Sequence, residues 1–405
     1  MSAPSSVQSA GRPLTVVQKY GGSSVADIAK IHQVAAHIAA TRRAGKRVVA
    51  VVSAMGKTTD GLMQLAHEVS ASPDRRELDM LLTAGERIAM ALVAMSVRDQ
   101  GFPATSLTGS QCGILTNDAP GGARILEVRP FRVEDALDQG QVVIVAGFQG
   151  TSWRREVTTL GRGGSDTTAV ALAGALGADC EIYSDVDGIY SADPRVVSAA
   201  VRRDVVSHDE TLALARAGAK VLAADAVAYA RVHGIALYAR RTAGGNGETV
   251  VRLDAPRDRP WVTAVAARPE TVVLRYGGEG DADAVVASAL QQALVAPLAH
   301  LGDEPRVLVV ARDAADAVDP AFERLIAALQ GALGARQLGT ERGTLVSIVG
   351  PAVGREAGLT ASFREAAGPH SWWLQHGLTL SALVEPGRAA DAVRALHRRF
   401  VEGMP

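Results

Sequence analysis

Residues 47–55 read RVVAVVSAM, an apolar run with no polar alternation in its first five positions after Arg47. A strand with one wet face alternates apolar and polar residues, because successive side chains point to opposite faces. A run that is apolar throughout belongs to a strand covered on both sides, as in a parallel sheet with helices above and below. VVIVAGFQG (142–150) and CEIYSDVDGIY (180–190) have the same character. Ahead of them, LTVVQKY (14–20) reads as a strand, GGSS as a loop, and VADIAKIHQVAAHIAATRRAG (25–45) as an amphipathic helix closed by Gly45. A further long helix is expected from about Leu78 to Asp99. Strands alternating with helices make the class α/β on a mostly parallel sheet.

The pattern changes at TAGGNGETVVRLDAPRDRP (242–260), where glycines, prolines and charges gather. Beyond it the order strand, helix, strand, strand, helix is met twice at shorter spacing, first around TVVLRY and RVLVVAR, then around GTLVSIVG and LTLSALVEP. The expected organisation is an α/β domain over 14–255 and two small α+β modules over 262–335 and 340–403.

A formal net charge of −1 gives no electrostatic case for nucleic acid or an anionic membrane. Two cysteines, Cys112 and Cys180, are too few and too far apart for a disulfide framework or a chelating motif, and suit a reducing, cytoplasmic setting. The histidines lack metal-ligand spacing, so no metal site is expected. No apolar stretch approaches the ~20 residues that a membrane span needs. The opening MSAPSSVQSAGRP has no apolar core after a basic start and reads as a short disordered leader.

Several segments place glycines and polar groups just past a strand, where open α/β sheets bind ligands. KYGGSS (19–24) sets Lys19 and two glycines before a helix start, a cradle for an anion without the spacing of a P-loop. VVSAMGKTTD brings Ser53 and Thr58, and LTAGERI puts Glu86 inside an apolar helical stretch. YSDVDGIYSADPR adds Asp185 and Asp187 after a strand. LGRGGSDTTAV (160–170) sets Arg162, Ser165 and Asp166 at a helix start. Ser165 or Asp166 could cap that helix, but a cap does not need all three.

VVQKYGGSSVADIAKI, VVSAMGKTTDGL, LLTAGERIAMALVAM, SLTGSQCGILT, VAGFQGTS, VTTLGRGGSDTTAVALAGALGA and IYSDVDGIYSADPRVV resemble the successive signature segments of the aspartate kinases. They follow that family's order and spacing over residues 14–252, and the actinobacterial type with two C-terminal ACT modules is the most similar. The resemblance implies an amino-acid-kinase α/β/α sandwich followed by two ferredoxin-like ACT modules. It implies ATP-dependent phosphorylation of the β-carboxylate of L-aspartate, with Mg²⁺ held mainly by ATP oxygens and water. A carboxylate acceptor with a pKa of about 3.9 is already ionised at neutral pH and needs no general base.

By similarity, Lys19 neutralises the transferring phosphoryl group, and Gly21, Gly22 and Ser23 hold phosphate oxygens. Asp166 orients the lysine and the substrate ammonium. Arg162 clamps the substrate's α-carboxylate, Glu86 meets its ammonium, and Gly163, Gly164 and Ser165 allow close backbone approach with Ser53 along the same cleft. Ser184, Asp185, Tyr190, Arg195 and Lys220 form the nucleotide side. ACT modules imply a homodimer or larger homo-oligomer.

The pattern also departs from the family. Ala223 and Ala224 stand where many members have His-Pro, and GGNGETVV replaces a Gly-Thr turn. In the first module RYGGEGDADAVV lacks the usual proline, and in the second Glu356-Ala357 replaces His-Pro ahead of PHSWWLQHG. Trp372 and Trp373 read as packing or interface residues. The expectation is a kinase with altered or relaxed lysine/threonine feedback. The competing readings are a catalytically silent effector-binding regulator and an enzyme of the same fold acting on an aspartate analogue.

Overall fold

The computed structural model describes residues 14–161, 163–220, 222–245, 247–255, 261–277, 282–293, 297–301, 306–311, 321–334, 337–356 and 358–403. The leader, Arg162, Ala357 and the centre of the GGEGD turn lie outside the described residues. The chain divides into two compact units, one of residues 1–189, 203–212 and 221–256, the other of residues 190–202, 213–220 and 257–405.

The first unit is built on an eight-stranded sheet. Its order is Val205–Ser207, Glu248–Arg252, Leu237–Arg241, Asp179–Ser184, β1 (Thr15–Tyr20), β2 (Arg47–Val52), Val142–Ala146 and Ala104–Leu107. Every described pairing is parallel except that of Leu237–Arg241 with Glu248–Arg252. The apolar runs occupy the centre: Val48 to Val52 and Val142 to Ala146 are buried at every position. The helices α1 (Ile28–Arg43) and α3 (Arg75–Asp99) supply Ile31, Val34, Ile38, Ala89, Val93 and Val97 to the same core as β1 and β2. Between them lies α2 (Thr58–Val69), which buries no residue fully. A second, four-stranded sheet runs Ile125–Val128, Ile114–Thr116, Gln149–Ser152, Val157–Thr159.

Two helix starts differ from the sequence reading, each for a capping reason. α1 begins at Ile28 rather than Val25, because Gly22–Val25 makes a 3₁₀ turn and Asp27 then caps the helix by accepting from Lys30 N at 2.9 Å. α3 begins at Arg75, where the Asp74 carboxylate accepts from Arg76 N and Glu77 N. α3 is also long and apolar enough to cross a membrane, contrary to the sequence reading, which found no such stretch. One face of it is instead turned into the protein: Leu82, Ala89, Met90, Val93 and Val97 are buried, with Asp79 and Glu86 among them, while Met80, Ile88 and Met95 are exposed.

The second unit carries a six-stranded antiparallel sheet ordered Ala299–Leu301, Arg306–Ala311, Ala264–Tyr276, Gln337–Val349, Thr379–Val384, Trp372–His376. Along the chain the order strand, helix, strand, strand, helix occurs twice, with helices Ala282–Ala293, Ala321–Leu333, Leu359–Ala367 and Ala389–His397. Each set has its own core, one around Leu274, Tyr276, Ile326 and Leu329, the other around Val346, Ile348, Phe363 and Leu396. The two long strands start earlier than TVVLRY and GTLVSIVG suggest. Their ladder slips between Arg268 and Thr271, where Glu270 takes φ +49°, and that irregularity breaks the period-two signal. Trp372 packs beside Val273, Val307, Val309 and Leu383, while the exposed Trp373 lies under the Arg364 guanidinium at 5.4 Å.

Candidate active site

Four adjacent parallel strands end in one row. Tyr20 pairs with Val52 and with Tyr183, and Val52 pairs with Ala146. Parallel register therefore releases Gly21, Ser53, Gly147 and Ser184 from the same sheet edge, the carboxyl edge where such sheets bind ligands. Backbone bonds fasten the exits: Gly21 N donates to Tyr183 O at 3.3 Å, Ser53 N to Tyr20 O at 3.1 Å, and Gly147 N to Val52 O at 3.0 Å.

Glycine is required where these exits crowd. A Cβ on Gly22 would lie 2.9 Å from Ala54 O, and one on Gly147 would lie 2.7 Å from Ser165 Oγ. Ser24 Oγ meets Thr242 Oγ1 at 2.6 Å, and Thr242 Oγ1 donates to Ser184 O at 3.0 Å, so one threonine ties the glycine loop to the Ser184 exit. Ser23 is exposed, and its carbonyl accepts from Lys30 Nζ. Ser184 Oγ turns onto its own loop through Val186, and Asp185 is exposed.

The stretch Gly163 to Asp166 does more than start a helix. The helix Gly164–Leu176 has Gly163 as its cap residue at φ +67°, and neither Ser165 nor Asp166 caps it. Asp166 instead faces β1: its Oδ1 lies 2.6 Å from Lys19 Nζ, and its Oδ2 accepts from Ala223 N at 3.3 Å. A Cβ on Gly163 would collide with Ala223 Cβ, and one on Gly164 would lie 2.9 Å from Phe148 Cδ2. Phe148 itself takes φ +69°, an uncommon conformation for a bulky residue, held by Thr168 Oγ1 at its N–H and Leu160 N at its carbonyl.

Glu86 sits on α3, one residue after Gly85, whose hydrogen is all that fits against Ala54: a Cβ there would lie 2.8 Å from Ala54 Cβ. That contact brings Ala54 N to 3.2 Å from Glu86 Oε1. Glu86 is only 4% exposed, and its Oε2 has no hydrogen-bond partner among the described residues. Burial lifts its pKa to about 7, against the smaller opposing pull of backbone N–H groups. A buried carboxylate with one oxygen unpaired is costly unless a donor arrives from outside, and an ammonium group answers that need.

Thus Lys19, Gly21, Gly22, Ser53, Glu86, Gly163, Gly164, Ser165, Asp166, Ser184 and Asp185 all belong to the first unit. Tyr190, Arg195 and Lys220 fall in the second, where the Arg195 guanidinium forks onto Asp193 at 2.7 and 3.0 Å. That pairing holds the Asp193 carboxyl below its ordinary range. Arg162 lies outside the described residues. Sequence reading missed the Ala54 and Ala223 N–H groups, which side-chain motifs cannot reveal. It also missed Thr242 and Asp79, the latter marked only by being a charge at a core position of a helix. Among the described residues no group of three His, Cys, Asp or Glu side chains could hold a metal ion.

The profile of the amino acid kinase family matches residues 14–239. The chain is 44% identical over 409 aligned residues to the aspartokinase of Mycobacterium tuberculosis, spanning 95% of this chain and 96% of that one. It is 53% identical over 256 residues to the aspartokinase of Corynebacterium efficiens, spanning 62% of this chain and 61% of that one. Among solved structures, E. coli aspartokinase III in complex with aspartate and ADP superposes with a TM-score of 0.82 at 25% identity, covering 95% of this chain and 99% of that one.

Proposed function

The chain belongs to the amino acid kinase family and, within it, to the aspartokinases, and on that premise we propose how its own residues act. The reaction is ATP-dependent phosphorylation of the β-carboxylate of L-aspartate, giving 4-phospho-L-aspartate and ADP. The attacking carboxylate oxygen forms the new P–O bond as the bond from the γ-phosphorus to the β,γ-bridging oxygen breaks. No proton must be removed, which agrees with a site that holds a lysine, an aspartate and backbone donors and, among its described residues, no positioned histidine.

Lys19 neutralises charge on the γ-phosphoryl oxygens, and Asp166 fixes its ammonium at one point. The glycines at 21 and 22 let phosphate oxygens approach the backbone, with Ser23 as a further donor. Glu86 receives the substrate ammonium, Arg162 the α-carboxylate, and Ser53, Gly163, Gly164 and Ser165 line the approach. Ser184 and Asp185 serve the nucleotide. The observation that carries this reading is the buried, unpaired Oε2 of Glu86, which fits an amino-acid ammonium and gives a phosphate nothing. The protein offers no cage of metal-ligating side chains among its described residues, so Mg²⁺ would come with the nucleotide and keep its waters. Bound there, it would neutralise phosphate charge.

The product's identity tests the acceptor. With hydroxylamine present, L-aspartate should yield the β-hydroxamate and L-glutamate none; an α-hydroxamate, or equal turnover of glutamate, would overturn the assignment. The domain limits 14–255, 262–335 and 340–403 are read as catalytic domain and two ACT-like modules, whose sheet ends, among the described residues, in the strands Ala299–Leu301 and Trp372–His376, edges that suit assembly into a homo-oligomer. Two buried free cysteines agree with a reducing cytoplasm. The departures at the effector turns support relaxed feedback. Lysine and threonine together should leave activity largely intact, whereas strong inhibition at submillimolar levels would contradict this.

A further inference from the structure

The glycine loop after β1 has an outer and an inner part. Gly21 and Gly22 are half-exposed and Ser23 is exposed, whereas Ser24 and Val25 are buried. Ser24 Oγ turns inward onto Thr242 Oγ1 at 2.6 Å, and Thr242 Oγ1 lies 3.0 Å from Ser184 O. A carbonyl oxygen can only accept, so the single hydroxyl hydrogen of Thr242 goes to Ser184 O. Ser24 must then be the donor to Thr242. Ser24, Thr242 and Ser184 thus form a directed chain of two hydrogen bonds.

Thr242 is a fixed post at the end of this chain. It follows the strand Leu237–Arg241, whose last pair with the strand Asp179–Ser184 is Arg241 with Ser184. Its own N–H donates to the same Ser184 carbonyl at 2.9 Å. Two residues earlier, the Arg240 guanidinium pairs with Glu181 through Nη1 and with Glu248 through Nε. Glu181 is buried, and it also accepts from Gln18 of β1 and from Tyr183, each at 2.8 Å. The strand end bearing Thr242 is therefore fastened to its neighbours independently of the Thr242 hydroxyl. The loop is held less firmly. Gly21 N reaches Tyr183 O at 3.3 Å and Gly22 O accepts from Gly56 N at 3.1 Å, while two successive glycines carry the largest backbone freedom. Ser24 Oγ adds a side-chain bond that the glycines lack.

We propose that Thr242 is a positioning residue for the nucleotide phosphates: through Ser24 it fixes the Gly21–Ser23 backbone against the Ser184 exit. Thr242 meets no substrate in this scheme and acts only through the two serines. The proposal rests on the assignment of Gly21, Gly22 and Ser23 to phosphate and of Ser184 to the nucleotide given above. Glu86 takes its support from Ala54 N, outside this chain of bonds, so the effect should fall on ATP and spare L-aspartate.

The test compares the full chain with Thr242→Val, Thr242→Ser, Ser24→Ala and the double variant Ser24→Ala/Thr242→Val. Steady-state kinetics with both substrates varied are read beside ADP binding without aspartate. Thr242→Val keeps the shape and removes the hydroxyl. It should raise KM for ATP and Kd for ADP by about threefold to tenfold, with KM for L-aspartate changed less than about twofold. Thr242→Ser, which keeps the hydroxyl, should stay within about twofold of the unmodified chain. Ser24→Ala should match Thr242→Val, and the double variant should be no worse than Thr242→Val alone, because each change breaks the same chain. Losses selective for ATP, retention by serine and non-additivity support the proposal. An unchanged KM for ATP in a folded Thr242→Val protein, equal rises for both substrates, or additive losses overturn it. If Thr242→Val fails to fold, Ser24→Ala decides by the same criterion. Failure of the underlying assignment is distinct: the unmodified chain would then release no ADP with aspartate.

Discussion

Lys19 Nζ lies 2.6 Å from Asp166 Oδ1, and both side chains are 13% exposed. One group comes from the penultimate position of β1 and the other from the first turn of a helix more than a hundred residues later. The contact is an ion pair, and under the proposed function the ammonium keeps donors for an incoming anion. The carboxylate sits in the first turn of its helix, where a negative charge is favoured. The pair is therefore held in place in advance, which on the proposed function is the condition under which charge stabilisation of a phosphoryl group is most effective.

The titration of Glu86 should be visible in both stability and binding. Its pKa in the folded chain is raised to about 7 from an ordinary 4.5 by burial. A raised carboxyl gives stability that is complete below the unfolded value and is lost as pH rises through the folded one. The melting temperature of the substrate-free protein should thus fall as pH rises between those values, and Glu86→Gln should remove that slope. L-Aspartate, whose ammonium favours the ionised form, should bind more weakly as pH falls below about 7. Glu86→Gln should raise KM for aspartate by about tenfold to a hundredfold above that pH and flatten its pH dependence. Differential scanning fluorimetry and pH-resolved kinetics check the two halves.

Gly163 and Ala223 form a matched pair of small residues. Gly163 takes φ +67°, and any Cβ there would strike the Ala223 methyl. Gly163→Ala should cost about 1–3 kcal/mol of stability and displace Asp166, lowering kcat with it. Adding Ala223→Gly removes the collision but not the backbone strain, so the double variant should recover part of the loss in a denaturation cycle. Full recovery would show that the left-handed conformation carries no cost.

In the second unit, Ser191 Oγ meets His397 Nε2 at 2.8 Å, and His397 Nδ1 meets Glu402 Oε1 at 2.8 Å. Ser191 and His397 are fully buried, so no substrate reaches this chain of bonds and its role is structural. His397→Ala leaves Ser191 Oγ with its Val201 N donor but without the histidine, and should lower stability by about 1–3 kcal/mol. His397→Gln, which can keep one of the two bonds, should cost less. Chemical denaturation of the three proteins decides it.

Much of this architecture was legible in the sequence because its signals are local. Apolar runs such as RVVAVV can only be doubly covered strands, and glycine pairs after them mark tight exits. Lys19 stood out as a charge beside a glycine pair just past a strand, and Glu86 and Asp166 as charges in small or apolar helical stretches. Asp79 carried the same mark, but a buried acid has meaning only once its donors are known, and those come from residues 121 and 159. Thr242, distant in sequence from both serines it joins, shows the same limit. The long strands of the second unit were shortened in the reading because a positive φ at Glu270 interrupts their alternation.

The most direct test is aspartate-dependent ADP release by the purified chain with ATP and Mg²⁺, measured beside Lys19→Ala. The account predicts turnover for the unmodified chain and a fall in kcat of about 10²–10⁴ for the variant, with its fold intact. An unmodified chain that binds nucleotide but releases no ADP with aspartate would contradict it, as would a Lys19→Ala variant that turns over at the unmodified rate.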